Sequence, residues 1–91
     1  MTETNRSLHV DVVTVYGVDT CADTTRARRH FEVAGMAYRY VNLDQDAAAK
    51  SRVTGAGYYA TPVVVLPTGE VLVEPSDDDL ARIVATVSAV T

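Results

Sequence analysis

The 91-residue sequence has a single cysteine, no tryptophan, one phenylalanine and three prolines. One cysteine excludes an internal disulfide, and with only His9 and His30 beside it a structural zinc site lacks ligands. Any redox chemistry must then be the chemistry of one thiol. Positive charge is also scarce: eight Lys and Arg against twelve Asp and Glu leave a formal net charge of -4. That balance argues against nucleic acid or an anionic membrane surface as a partner. No apolar run approaches the roughly 18 residues of a membrane span. Residues 1–7 are polar, with no apolar segment behind a basic one as a signal peptide has. These absences predict a cytoplasmic monomer with no nucleic-acid or membrane partner and no bound metal.

What is present is a core: 47% of the residues are hydrophobic, enough for one domain and too few for two at this length. Residues 1–7 read as a flexible tail and 8–91 as a single domain. Residues 8–16 are rich in β-branched side chains and stop at Gly17, which predicts a buried strand. Thr20-Cys21-Ala22-Asp23 has the form of a capping box, so a helix is expected from there to about Ala34. Its inward stripe is Ala27, His30, Phe31 and Ala34, and Gly35 supplies the stop. Residues 38–43 alternate as a second strand, and residues 47–53 form a short helix. Residues 61–66 and 70–73 around Pro67-Thr68-Gly69 spell an antiparallel hairpin. Ser76-Asp77-Asp78-Asp79 is a second capping box, and Leu80, Ile83, Val84 and Val87 are the buried stripe of the last helix. The order is βαβαββα, an α/β domain with a central four-stranded mixed sheet flanked by three helices. Its first two strands should be parallel and joined by a helical crossover.

This order, with residues 15–24 (VYGVDTCADT) and 60–65 (ATPVVV), resembles the glutaredoxin branch of the thioredoxin superfamily over about residues 8 to 90. Residues 41–46 and Glu74-Pro75-Ser76 look most like mycoredoxins and NrdH-type redoxins. The resemblance implies a thioredoxin fold and a C-x-x-C motif opening the first helix, with a nucleophilic first cysteine and a resolving second one. Here the motif is Cys21-Ala22-Asp23-Thr24, so the chain resembles a monothiol member with Thr24 at the resolving position. It lacks the Gly-Phe-Ser continuation of the members that carry iron–sulfur clusters.

The residues themselves support a reactive thiol at Cys21. A helix N-terminus stabilises a thiolate through its unpaired N–H groups and macrodipole. Thr24, one turn on, is placed to donate its hydroxyl to the sulfur. Asp19 and Asp23 flank the sulfur with like charge and oppose the thiolate, and the sequence leaves the net direction open. Arg26 is placed to offset these acids from the next turn, though it reads first as an ordinary solvated helix charge. Within the resemblance, Thr61-Pro62 is expected to be a cis bond facing Cys21. Thr61 stands where a valine is common, a small change if the partner pairs with main chain.

The resemblance further places the groove for a small thiol at Thr61, Pro62, Ser76 and Asp77, the last two where helix-start amides receive a carboxylate, and Tyr16 is a candidate wall that reads first as a strand-end core residue. The acids at residues 74 and 77–79 make that end a poor receiver for glutathione, and a neutral sugar-bearing thiol such as mycothiol, or a protein partner, fits better. Tyr58 and Tyr59 fit loop packing or a groove wall equally. The expected activity is reduction of mixed disulfides between proteins and a low-molecular-weight thiol, mycothiol or glutathione, as co-substrate, with no tightly bound cofactor. The rival is a thioredoxin-fold binding or regulatory module that has lost turnover.

Overall fold

A short strand of four buried residues, β2 (Thr14–Gly17), carries the architecture. Its residues alternate between two faces: Val13 and Val15 join one apolar cluster and Tyr16 the other, the period of two that a pleated strand imposes. The structure, a computed structural model, describes residues 2–4 and 8–90, and the side chains of residues 8–88. After β2 come α1 (Ala22–Val33), β3 (Arg39–Asn42), α2 (Ala47–Gly55), β4 (Val63–Val65), β5 (Glu70–Val73) and α3 (Asp77–Val90). β2 pairs in parallel with β3 and antiparallel with β4, and β4 pairs antiparallel with β5. The expected four-stranded mixed sheet with three helices is therefore present.

A fifth strand extends it. Thr2–Thr4, inside the segment expected to be a tail, form β1 and pair antiparallel with β5, so the sheet order is β1-β5-β4-β2-β3. A three-residue Thr-Glu-Thr strand at the sheet edge leaves little periodic signal to read. The rest of that expected tail, residues 1 and 5–7, lies outside the described residues.

One face of the sheet packs Val13, Val15, Val64 and Leu72 against Ala27 and Phe31 of α1 and Leu80 and Ile83 of α3. The other face packs Tyr16, Val63, Val65 and Val71 against Ala49 and Val53 of α2, with Leu8, Leu43 and Tyr58. Residues 63–65 are fully buried because β4 is sandwiched on both sides, and a run of valine suits that position. The first strand is shorter than its composition suggests. Leu8 is buried at 3% exposure in the α2-side cluster while Asp11 is exposed, so residues 8–12 bend under the sheet instead of extending it.

Two helix ends follow their glycines. Gly35 has a φ of 67°, its N–H reaches Glu32 O at 3.1 Å, and Met36 N–H reaches Phe31 O at 3.0 Å. Gly57, φ 97°, repeats the pattern with bonds to Thr54 O (2.9 Å) and from Tyr58 N–H to Val53 O (3.1 Å). Both are Schellman endings, in which a left-handed residue satisfies two orphan carbonyls. The second capping box is also present: Ser76 Oγ accepts from Asp79 N–H and Asp79 Oδ2 accepts from Ser76 N–H, each at 3.1 Å.

The first capping box is not. α1 has Cys21 itself at the N-cap and no side-chain oxygen caps it, so the expected Thr20–Asp23 pairing is replaced. The α1 stripe also shifts: Thr24, Ala27 and Phe31 are buried, whereas His30 is half-buried and Ala34 exposed. Thr24 shares the inward face with Ala27 and Phe31, three and seven residues on.

Candidate active site

Gly17 ends β2 and the chain turns through residues 18–20, with Cys21 N–H bonded to Val18 O at 3.2 Å. Cys21 then holds extended backbone angles, φ -87° and ψ 120°, at the N-cap of α1. An N-cap side chain faces the free N–H groups of the second and third helical residues. Here those are Asp23 and Thr24, although the Cys21 thiol makes no capping hydrogen bond to them. As a thiol, Cys21 donates to the Thr61 carbonyl across a gap of 3.6 Å.

The Cys21 pKa is held below the ordinary thiol value. The largest cause is the Thr61 hydroxyl, which donates to the sulfur once it is ionised. Burial opposes the shift, and the Thr24 hydroxyl and the Thr24 and Asp23 N–H groups add to it. Thr61 thus acts on the sulfur through two groups: its carbonyl accepts from the thiol and its hydroxyl serves the thiolate.

Thr24 is only 1% exposed and its Oγ1 has no hydrogen-bond partner. A buried hydroxyl without a partner costs about 1–3 kcal/mol, and this hydroxyl is among the groups that lower the Cys21 pKa. Gly17 makes room for this arrangement. A Cβ on Gly17 would lie 2.5 Å from both Oγ1 and Cγ2 of Thr24, so no larger residue fits there without displacing Thr24. Gly17 reads in the sequence only as a strand end, since its contact with Thr24 arises from the packing of α1 on β2.

The two flanking carboxylates are drawn off. Asp19 Oδ1 accepts from the Tyr40 hydroxyl at 2.7 Å and lies 3.9 Å from an Arg28 guanidinium nitrogen, and the Arg28 Cζ sits 3.8 Å over the Tyr40 ring. Burial and the bond to Asp19 push the Tyr40 phenol up to about 12. Asp23 lies 3.6 Å from Arg26. Neither carboxylate is among the main causes acting on Cys21.

Arg26 is not a free solvated charge. Its Nη1 donates to Asp77 Oδ1 at 2.7 Å and its Nη2 to Pro75 O at 2.9 Å, tying α1 to the entrance of α3. Ser76 and Asp77 therefore face α1, but Ser76 N–H is consumed by the capping box and the Asp77 carboxylate by Arg26. The Thr61-Pro62 bond is cis, and Pro62 O accepts from Glu74 N–H at 2.9 Å. Glu74 itself holds a φ of 50°, a left-handed conformation that glycine adopts more readily.

Tyr16 is not part of this site. Its side chain belongs to the α2-side cluster and lines a separate cavity whose walls include none of Cys21, Thr24, Thr61 and Pro62. The reason is the strand alternation: Gly17 shares the α1 face with Val13 and Val15, and Tyr16 points the other way. Tyr58 is buried loop packing, whereas Tyr59 is 81% exposed two residues before Thr61. Among the described residues no group of three or more metal-ligating side chains occurs, and no helix is long and apolar enough to cross a membrane.

The glutaredoxin family model matches residues 13–72. The chain belongs to the glutaredoxin family. Among solved structures, a point variant of the thioredoxin-like protein BC3987 superposes with a TM-score of 0.74 at 22% identity, covering 84% of this chain and 97% of that one. The glutaredoxin-like NrdH-redoxin from Escherichia coli gives 0.68 at 21% identity, covering 78% and 92%. A glutaredoxin from Archaeoglobus fulgidus gives 0.64 at 22% identity, covering 79% and 84%. These neighbours establish the thioredoxin fold, and no curated protein matches the sequence significantly. Membership in the glutaredoxin family carries the general chemistry, thiol–disulfide oxidoreduction.

Proposed function

We propose that this glutaredoxin is a monothiol oxidoreductase that reduces mixed disulfides between proteins and a low-molecular-weight thiol. The observation that carries the reading is the sulfur of Cys21 in the N-cap position, with the Thr61 and Thr24 hydroxyls and two N–H groups available to its thiolate. The Cys21 thiolate attacks the small-thiol sulfur of the mixed disulfide, forming a new S–S bond and releasing the protein as thiolate. A second small thiol then attacks that sulfur as its thiolate. It leaves as the symmetric small-thiol disulfide, and Cys21 departs as thiolate. The second small thiol is the reductant consumed, and its sulfur leaves bonded to the one that came with the mixed disulfide, so no resolving cysteine is needed.

Thr61 and Pro62 form the wall nearest the sulfur, and Ser76 and Asp77 the far end of the groove. With Ser76 N–H capped and Asp77 negative, that end receives a neutral sugar-bearing thiol such as mycothiol, or a protein partner, better than the carboxylates of glutathione. Action as a monomer in the cytoplasm, where such thiols are reduced, belongs to the same proposal.

Steady-state reduction of a mycothiol and a glutathione mixed disulfide, with Cys21→Ser as control, tests it. Turnover that favours mycothiol and vanishes in Cys21→Ser is expected. No turnover with either substrate overturns the enzymatic reading and leaves a partner-binding thioredoxin-fold module.

A further inference from the structure

On the sheet face toward α2, Tyr16 and its β3 neighbour Arg39 line a cavity of about 480 Å³, with Arg52 of α2 reaching the same space. That size is typical of small-molecule sites. Tyr16 is only 6% exposed; its hydroxyl has no hydrogen-bond partner among the described residues and is open to solvent, since Thr24 Oγ1 is the one fully buried polar side-chain atom without a partner there. Arg39 and Arg52 likewise have no ion-pair or side-chain hydrogen-bond partner among those residues. This contrasts with Arg26, Arg28 and Arg82, each of which is engaged.

Two carboxylates also line the cavity, Asp46 engaged at one oxygen and Asp11 almost wholly in solvent. Asp46 Oδ1 accepts the Ala49 N–H at 2.9 Å at the start of α2, and Asp11 lies 3.5 Å from His9 Nε2. The donors of the cavity without a protein partner among the described residues are two exposed guanidinium forks and the Tyr16 hydroxyl. Guanidinium forks match the geometry of carboxylate and phosphoryl oxygens, two donors to two acceptors. We infer that this cavity binds a small molecule by its oxyanion, phosphoryl or carboxylate, through Arg39, Arg52 and the Tyr16 hydroxyl. The site is separate from the Cys21 chemistry, because its lining contains none of the residues around the sulfur.

Titration of the whole protein with sodium phosphate, and separately with sodium succinate, tests the inference by backbone amide NMR shifts. Sodium chloride at matched ionic strength is the control. Saturable shifts at Tyr16, Arg39, Val41 and Arg52 are expected with at least one of the two anions and not with chloride. The stronger of the two identifies the phosphoryl or the carboxylate source. The double variant Arg39→Gln/Arg52→Gln should lose the saturable shifts, and Tyr16→Phe should weaken binding about tenfold or more, the loss of one hydrogen bond to a charged group. Absence of saturation with both anions in the wild-type protein overturns the inference, whatever the variants do. Undiminished binding by a folded double variant overturns it as well.

Discussion

At the scale of single residues, the reactivity of Cys21 depends on a few oxygen and nitrogen atoms whose separate contributions can be measured. Thr61→Val removes the largest contributor to the lowered thiol pKa and Thr24→Val a smaller one. Both substitutions should raise the pH midpoint of Cys21 alkylation, Thr61→Val by more. Thr24→Val should also leave stability unchanged or higher by up to about 1–2 kcal/mol, since it deletes a buried hydroxyl without a partner. Chemical denaturation read beside the alkylation profile checks the split, and a matched loss of stability would contradict it. The linkage has a definite sign. A folded-state pKa below the unfolded one favours the folded thiolate, so this stability is lost as pH falls through the folded pKa and complete above about 8.5. The stability of the wild-type protein relative to Cys21→Ala should therefore rise with pH up to that region.

Asp19 gives a second test at this scale. Tyr40→Phe removes the hydroxyl that holds Asp19 and should raise the Cys21 midpoint, whereas in an Asp19→Asn background the same substitution should have no effect. An equal effect in both backgrounds would show that Tyr40 acts by some route other than the carboxylate. The sequence shows the threat from Asp19 and Asp23 but not their engagement. Tyr40 lies 21 residues from Asp19, and only the parallel pairing of β2 with β3 brings them together.

At the scale of elements, local signals were legible wherever a single stretch of chain decides the outcome. Gly35 ends α1 and Ser76 with Asp79 starts α3 as the sequence predicts, because caps are satisfied within a few residues. The start of α1 was misread for the same kind of reason in reverse. Thr20 and Asp23 have the right spacing for a capping box, but the functional sulfur takes the N-cap. Two glycines two residues apart test the account of α2. Gly57 is left-handed at the helix end, whereas Gly55 lies within α2 with open space around its Cα. Gly57→Ala should destabilise by about 1–2 kcal/mol, while Gly55→Ala should stabilise by roughly 0.5–1 kcal/mol. Thermal unfolding of the two variants should move in opposite directions. At the β2–α1 junction, Gly17→Ala should cost about 1–3 kcal/mol through its clash with Thr24. It should also perturb Cys21 alkylation, since Thr24 must move.

At the scale of the whole molecule, the order of strands and helices could be read because each element carries its own period and the connections are short. The two-faced burial of β4 follows from its valine run. What could not be read are contacts that depend on how the elements assemble. Arg26 looks solvated in sequence and instead spans 51 residues to Asp77, and Tyr16 looks close to Cys21 but lies on the opposite face of the sheet. The candidate site is therefore half local and half global: Cys21 and Thr24 follow from the start of α1, whereas Thr61 arrives through the pairing of β2 with β4. That convergence is the claim on which the functional reading stands. The pH dependence of Cys21 alkylation in the native protein tests it most directly. A midpoint clearly below the ordinary thiol value of about 8.5 is predicted, and a midpoint at or above that value would contradict it.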